Sequence, residues 1–187
     1  MPFTQHFRPA TWAKLRCQHA NLYQIDEQLF RSEQLTPDDI GIIQQYGINT
    51  LINLRFFDRD DNEENLANLP LTFINHPLMT WAIKPQQLAE ILYDILWHQA
   101  RGDKVLVHCY HGSDRTGITI AMYRILVQKW TIEHAKIEMQ DGGYGFHWIW
   151  INISNLLTEK KVQEVQHALL TLQRQKPIIS QPFISQP

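Results

Sequence analysis

The stretch from Val105 to Leu126 constrains the fold more than any other part of the chain. Val105-Leu106-Val107 reads as a short buried strand. A polar loop follows, His108-Cys109-Tyr110-His111-Gly112-Ser113-Asp114-Arg115-Thr116. Gly117 then leads into a helix with Ile118, Ala121, Met122, Ile125 and Leu126 on one apolar stripe. Cys109 stands at the end of the strand and Arg115 at the start of the helix, with five residues between them.

This spacing suits a phosphate site with a nucleophile in its floor. A loop that feeds a helix N-terminus turns several backbone N–H groups inward, and the helix dipole favours negative charge there. A phosphate dianion fits such a nest without help from side chains. The expected phosphate contacts are Tyr110, His111, Gly112, Ser113, Asp114 and Arg115, with Tyr110 and Ser113 acting mainly through their N–H groups. Arg115 adds a bidentate fork, and Gly112 lets the backbone pass close to the anion. The field that binds phosphate also favours thiolate at the Cys109 position. Thr116 is placed to hydrogen-bond the sulfur when it leaves, and His108 to hold the loop in shape. A metal site built from His108, Cys109 and His111 is not expected, since near-adjacent residues do not converge on one tetrahedral ion. No cofactor is called for.

The rest of the chain alternates strands with helices. Asn21–Asp26 and Gln28–Ser32 read as two short strands joined by a tight turn. Thr36-Pro37-Asp38-Asp39 is a helix start that Gly47 stops, and Ile48–Leu54 is a buried strand. Arg55 to Asn65 is acidic and irregular. Leu71–Asn75 is another strand, and Pro85 opens a helix with Leu88, Ile91, Leu92, Ile95 and Leu96 on one face. Thr131 caps a further helix that ends at Gly142-Gly143, and Phe146–Leu157 and Lys161–Gln173 look like two last helices. The fold class expected is α/β: a single domain with a central, mostly parallel sheet flanked by helices. The loop then falls at the carboxyl end of a strand, where open α/β sheets place ligands. Residues 1–20 are expected to form an arm that packs through Trp12, residues 21–175 the catalytic domain, and residues 176–187, with Ile-Ser-Gln-Pro twice, a tail.

Composition narrows the partners. With 17 basic and 19 acidic residues the formal charge is −2, and no basic tract calls for nucleic acid. No apolar run approaches a membrane span. Met1–His6 lacks the charged-then-apolar pattern of a signal peptide, so a cytoplasmic protein is expected, with a secreted or periplasmic one left open. Two cysteines, Cys17 and Cys109, are too few for a disulfide scaffold.

The loop resembles the His-Cys-x5-Arg-Thr/Ser-Gly signature of the cysteine-based protein tyrosine phosphatases, and its context is similar to their compact bacterial dual-specificity branch. Asn21-Leu22-Tyr23, Leu29-Phe30-Arg31-Ser32, Gly47 to Arg55 and Gly142 to His147 carry the likeness outside the loop. The resemblance implies a dual-specificity-phosphatase-like fold. It also implies hydrolysis of phosphomonoesters through a phosphocysteine, on phosphotyrosine, phosphoserine or phosphothreonine in proteins or on small esters. Phosphate, sulfate or vanadate would occupy the loop.

One part of that pattern is missing. Related enzymes carry an acidic Asp on the loop after the strand that precedes the Cys strand, to protonate the leaving oxygen. Here that loop, His76 to Gln87, contains no Asp or Glu. Three substitutes remain open: Asp114, Asp58 with its neighbours Asp60 and Asp61, or His76. The reading favours Asp114, because myotubularin-like and Sac-like phosphoinositide phosphatases also place an Asp directly before the loop Arg. The plain reading of Asp114 is a helix cap. Other functions stay open beside the leading one: a phosphoinositide or inositol-phosphate phosphatase, a non-catalytic phosphate-binding module, and a sulfurtransferase.

Overall fold

The computed structural model of the protein describes residues 9–178; residues 1–8 of the expected arm and 179–187 of the expected tail lie outside the described residues. Six strands form one sheet: β1 (Lys14–Cys17), β2 (Leu22–Gln24), β3 (Leu29–Ser32), β4 (Thr50–Asn53), β5 (Thr72–Asn75) and β6 (Val105–His108). Their spatial order is β1-β2-β3-β6-β4-β5. The pairs β3–β6, β6–β4 and β4–β5 are parallel, whereas β1, β2 and β3 form an antiparallel meander. The α/β architecture is therefore the one expected, a mostly parallel sheet with helices on it.

Alternation along the buried strands divides the core in two. Leu29, Ile52, Val105 and Val107 face one side, with α3 (Pro85–Gln99), α4 (Asp114–Leu126), α5 (Ile132–Asp141) and α7 (Glu159–Gln175) packed over them. Phe30, Leu51 and Leu106 face the other, beneath α1 (Ile40–Tyr46). The α3 stripe of Leu88, Ile91, Leu92 and Ile95 is fully buried. Thr131 caps α5 by accepting from the His134 N–H at 3.2 Å. Gly47 ends α1 in the left-handed region at φ 65°.

Two expected boundaries change. The supposed arm contributes β1, which pairs antiparallel with β2. Its Lys14, Leu15 and Arg16 are exposed, so the strand buries too little to leave a period in the sequence, and its charges blunt the sheet edge. The long helix expected over Phe146–Leu157 shrinks to α6 (Ile151–Ser154). Gly143 and Gly145, at φ 77° and 85°, turn the preceding chain back toward the sheet end, and hydrogen bonds described below hold it there. The acidic segment also contains a short helix, α2 (Asp61–Asn65).

Glu138 on α5 ties the helical layer together. Its carboxylate accepts two bonds from the Arg124 guanidinium, both 2.8 Å, and others from the Tyr144 hydroxyl at 2.9 Å and the Ala13 N–H at 2.8 Å. Arg124 and Glu138 are both buried. Removing one partner of such a pair strands a buried charge, so Glu138→Ala is expected to destabilise the fold by about 3–5 kcal/mol. Chemical denaturation of the variant against the parent chain measures this directly.

Candidate active site

β6 lies between β3 and β4, and all four of its residues are buried. Its end delivers Cys109, also buried, and α4 begins five residues later at Asp114. Among the described residues, no backbone N–H from Tyr110 to Thr116 donates to a protein acceptor. Seven consecutive donors at a helix N-terminus make an anion site by construction.

Three interactions keep that row unpaired and open. Ser113 occupies the N-cap position, where its hydroxyl would ordinarily accept from the first turn. Instead it donates to the Tyr144 carbonyl at 2.7 Å. Gly112 sits at φ 69°, and a Cβ there would lie 2.3 Å from the Ser32 carbonyl oxygen. The Gly112 carbonyl accepts from the buried Arg31 guanidinium, which stacks 3.8 Å from the Tyr144 ring centroid. Burial holds the Arg31 pKa below its ordinary value, against the pull of Tyr144, Glu138 and Cys109.

His108 supports the loop from below. Its Nδ1 lies 3.2 Å from the Cys109 carbonyl, and its Nε2 lies 2.8 Å from the Asn62 side-chain nitrogen. Since Asn62 supplies an N–H, Nε2 accepts and Nδ1 carries the proton. Burial drives the pKa of His108 from 6.5 down to about 4, helped by Arg55 and Arg115 and opposed by the bond to Cys109. The ring is thus a neutral structural element. Thr116 Oγ1 is buried and has no hydrogen-bond partner. Arg115 is partly exposed, and its guanidinium lies 3.5 Å from the Leu54 carbonyl.

The expected acids are dispersed. Asp58 and Asp61 both pair with Arg55, the former at 2.9 Å, and Arg55 in turn lies 5.4 Å from the Tyr110 ring centroid. The acidic segment does approach the loop, but its contact with the loop floor is Asn62. His76 is committed to Asp94 of α3 at 2.6 Å. Asp114 does not cap α4. Its Oδ1 accepts the His147 backbone N–H at 2.9 Å, and its Oδ2 lies 2.8 Å from His147 Nδ1. The His147 ring stands 5.5 Å from that of His111, which is exposed on the loop. Tyr110 on the loop and Trp148, next to His147, are exposed.

Cys109, Arg115, Asp114 and the loop residues are therefore gathered in one place, as the sequence suggests. Arg31, Asn62, Tyr144 and His147 are not predicted. Arg31 and the Gly142–His147 segment belong to stretches that carry the family resemblance, which is the signal available for them. Asn62 sits in a run of charges and gives none.

Residues 24–129, more than half of the chain, match the tyrosine phosphatase family. The chain belongs to the tyrosine phosphatase family. Within it, the dual specificity protein phosphatase TpbA of Pseudomonas aeruginosa is 31% identical over 138 residues, 74% of this chain and 62% of TpbA. The chain thus spans less than two thirds of the length of the curated relatives it matches. The crystal structure of P. aeruginosa TpbA superposes with a TM-score of 0.78 at 28% identity, over 88% of this chain and 99% of that one. A form of that protein solved in complex with pTyr superposes equally well. The core catalytic domain of the PP-IP phosphatase SIW14 from S. cerevisiae has a TM-score of 0.64 at 15% identity, over 85% and 96% of the two chains, a likeness of fold alone. Among the described residues no helix is long and apolar enough to cross a membrane, and no cluster of three or more His, Cys, Asp or Glu is arranged to hold a metal ion.

Two measurements test this arrangement. Gly112→Ala should weaken vanadate binding at least about tenfold, or 1.4 kcal/mol, because the methyl group must displace the Ser32 backbone. The second concerns His108. Its folded pKa is depressed, so as pH falls the unfolded chain takes up the proton first. The stability it contributes is complete above pH 6.5 and drains away as pH falls toward about 4. Across that window the loss is roughly 3 kcal/mol. Denaturation between those limits should show a shallower acid dependence in His108→Gln.

Proposed function

We propose that this protein is a cysteine-dependent phosphatase that hydrolyses phosphomonoesters of tyrosine, serine or threonine side chains in proteins, with a catalytic unit running from about Asn21 to Gln175. The observation that carries this reading is the row of seven unpaired N–H groups that begins directly after Cys109 and ends within α4. Such a row binds the three non-bridging phosphoryl oxygens, and binds them most tightly as charge develops on them. The naming of the relatives as dual specificity phosphatases, and the pTyr complex of one of them, support the substrate class. The exposed rings of Tyr110 and Trp148 suit a side chain that arrives with a ring between backbone and phosphate.

The chemistry follows in two steps. The Cys109 thiolate attacks phosphorus opposite the ester oxygen, and the P–O bond breaks while Arg115 holds two of the equatorial oxygens. The leaving oxygen takes up a proton. Water then attacks the phosphocysteine, giving up a proton as the P–S bond breaks, and phosphate leaves. The unpartnered Thr116 hydroxyl is the donor available to the departing sulfur.

The test is hydrolysis of an aryl phosphate between about pH 5 and pH 8. The wild-type chain is expected to turn over with vanadate as inhibitor. Cys109→Ser is expected to bind vanadate but not turn over, and Arg115→Lys to lose about 10²–10³-fold in kcat/KM. Vanadate binding without turnover by the wild-type chain would instead identify a phosphate-binding module. Phosphotyrosine peptides, phosphothreonine peptides and inositol phosphates, compared by kcat/KM, then rank the substrates.

A further inference from the structure

The acid that a phosphatase of this design requires is absent from the loop after β5. Asp58 and Asp61 neutralise Arg55. Asp94 holds His76, and Glu138 holds Arg124. Glu63 Oε2, in contrast, is buried without a hydrogen-bond partner among the described residues, and burial raises the pKa of Glu33, which interacts electrostatically with His111. Asp114, the candidate inside the loop, is engaged by both oxygens, and both bonds come from a single residue, His147. A carboxylate that accepts a backbone N–H on one oxygen and an imidazole N–H on the other has no proton to offer.

His147 is placed differently. Its side chain is 49% exposed, and Asp114 fixes its tautomer, because a carboxylate at Nδ1 requires the proton on that nitrogen. Nε2 has no hydrogen-bond partner among the described residues and is the end of the ring left to exchange a proton with a ligand. The ring stands beside His111, part of the anion loop, and its backbone is held against the loop by Asp114 Oδ1. One residue before Asp114 and three before His147, Ser113 bonds to the Tyr144 carbonyl, and Asn21 bridges the carbonyls of His111 and Tyr144 at 3.0 and 3.1 Å. The groups that face the imidazole are thus Asp114 from α4 and His111 from the loop.

Resting on the phosphatase reading above, the geometry points to His147 as the proton carrier of the reaction and to Asp114 as the residue that positions it. In the first step the Cys109 sulfur forms a bond to phosphorus as the P–O bond breaks, and the leaving oxygen takes its proton from Nε2 of the imidazolium. In the second, the now neutral Nε2 accepts a proton from the attacking water as the P–S bond breaks, which restores thiolate and imidazolium. An imidazole whose Nε2 can both give and take a proton is suited to serve as acid and then as base within one turnover. The arrangement is the logic of a carboxylate–histidine pair transferred to a phosphate loop, with the carboxylate as orienter.

The experiment compares aryl phosphates that have acidic phenol leaving groups with alkyl phosphates, in wild type, His147→Gln and Asp114→Asn. His147→Gln should lose turnover on both, but about 10²-fold more on alkyl esters, which cannot leave unprotonated. With activated aryl esters it should show a burst of phenol release, because the second step lacks its base. The pH profile of kcat/KM should lose the limb that reports the imidazole. Asp114→Asn should steepen the leaving-group dependence in the same direction, and the double variant should be no worse than the worse single one, since both remove one device. Inorganic vanadate should still inhibit His147→Gln, because it binds through backbone N–H groups.

An equal loss on both substrate types overturns the assignment. So does a steepened dependence in Asp114→Asn but not in His147→Gln, which would make Asp114 the acid. Loss of vanadate inhibition in His147→Gln overturns it too, by making His147 part of the loop scaffold. The two readings fail separately. Wild-type turnover with an unchanged leaving-group slope in His147→Gln sinks only the proton carrier, whereas a wild-type chain that hydrolyses no phosphate ester sinks the phosphatase reading and the carrier with it.

Discussion

A run of backbone N–H groups that has no protein acceptor must find one in the solvent or in a ligand. Between Tyr110 and Thr116 seven such groups stand together at the head of a helix, without an acceptor among the described residues. Much of the surrounding structure keeps them so. The serine that would close the helix end is drawn off to Tyr144, the glycine carbonyl is gripped by a buried arginine, and a neutral histidine props the strand end from beneath. Each of these is a polar group in the interior that makes at least one hydrogen bond, although Arg31 Nε has no partner among the described residues. Together they direct the free hydrogen-bonding capacity of the region to one place, just after a cysteine.

That loop is coupled to the core through a short series of contacts. Arg124 on α4 and Glu138 on α5 form a buried pair, Glu138 accepts the Tyr144 hydroxyl, and the Tyr144 carbonyl accepts Ser113. The Tyr144 ring also stacks on Arg31, which returns to the loop at Gly112. The segment after α5 is therefore the outer wall of the site rather than a connector. Its two left-handed glycines are what allow the chain to fold back far enough to meet the loop.

What the sequence made legible was local. The strand–loop–helix around Cys109, the helix starts at Thr36, Pro85 and Thr131, and the alternation of strands with helices all depend on neighbours within a few residues, and the structure has them where the pattern says. What escaped was long-range or unpatterned. Asp114 meets His147 across 33 residues and Arg31 meets Gly112 across 81, and neither pairing leaves a period behind. β1 escaped because an edge strand with three exposed residues has no buried face to alternate with. The apolar residues from Phe146 onward mimic a helix stripe, yet Trp148, Ile149 and Ile151 are exposed. Asp114 itself was legible as important, but its role depends on a partner that only the fold supplies.

The division of labour in the loop bears on how such a protein can change. The open N–H groups of the loop belong to the main chain, which every residue type supplies alike, and a few side chains shape it. Tyr110 and His111 point outward and hold nothing of the loop's own backbone in place through their side chains. Substitutions at those two positions can accumulate without erasing the anion site, while position 112 has no such freedom. Inner scaffold and outer surface are thus encoded in separable parts of the same thirteen residues from Val105 to Gly117. A lineage built on this loop can change the surface it presents to a ligand by altering its outer side chains while the inner scaffold stays fixed.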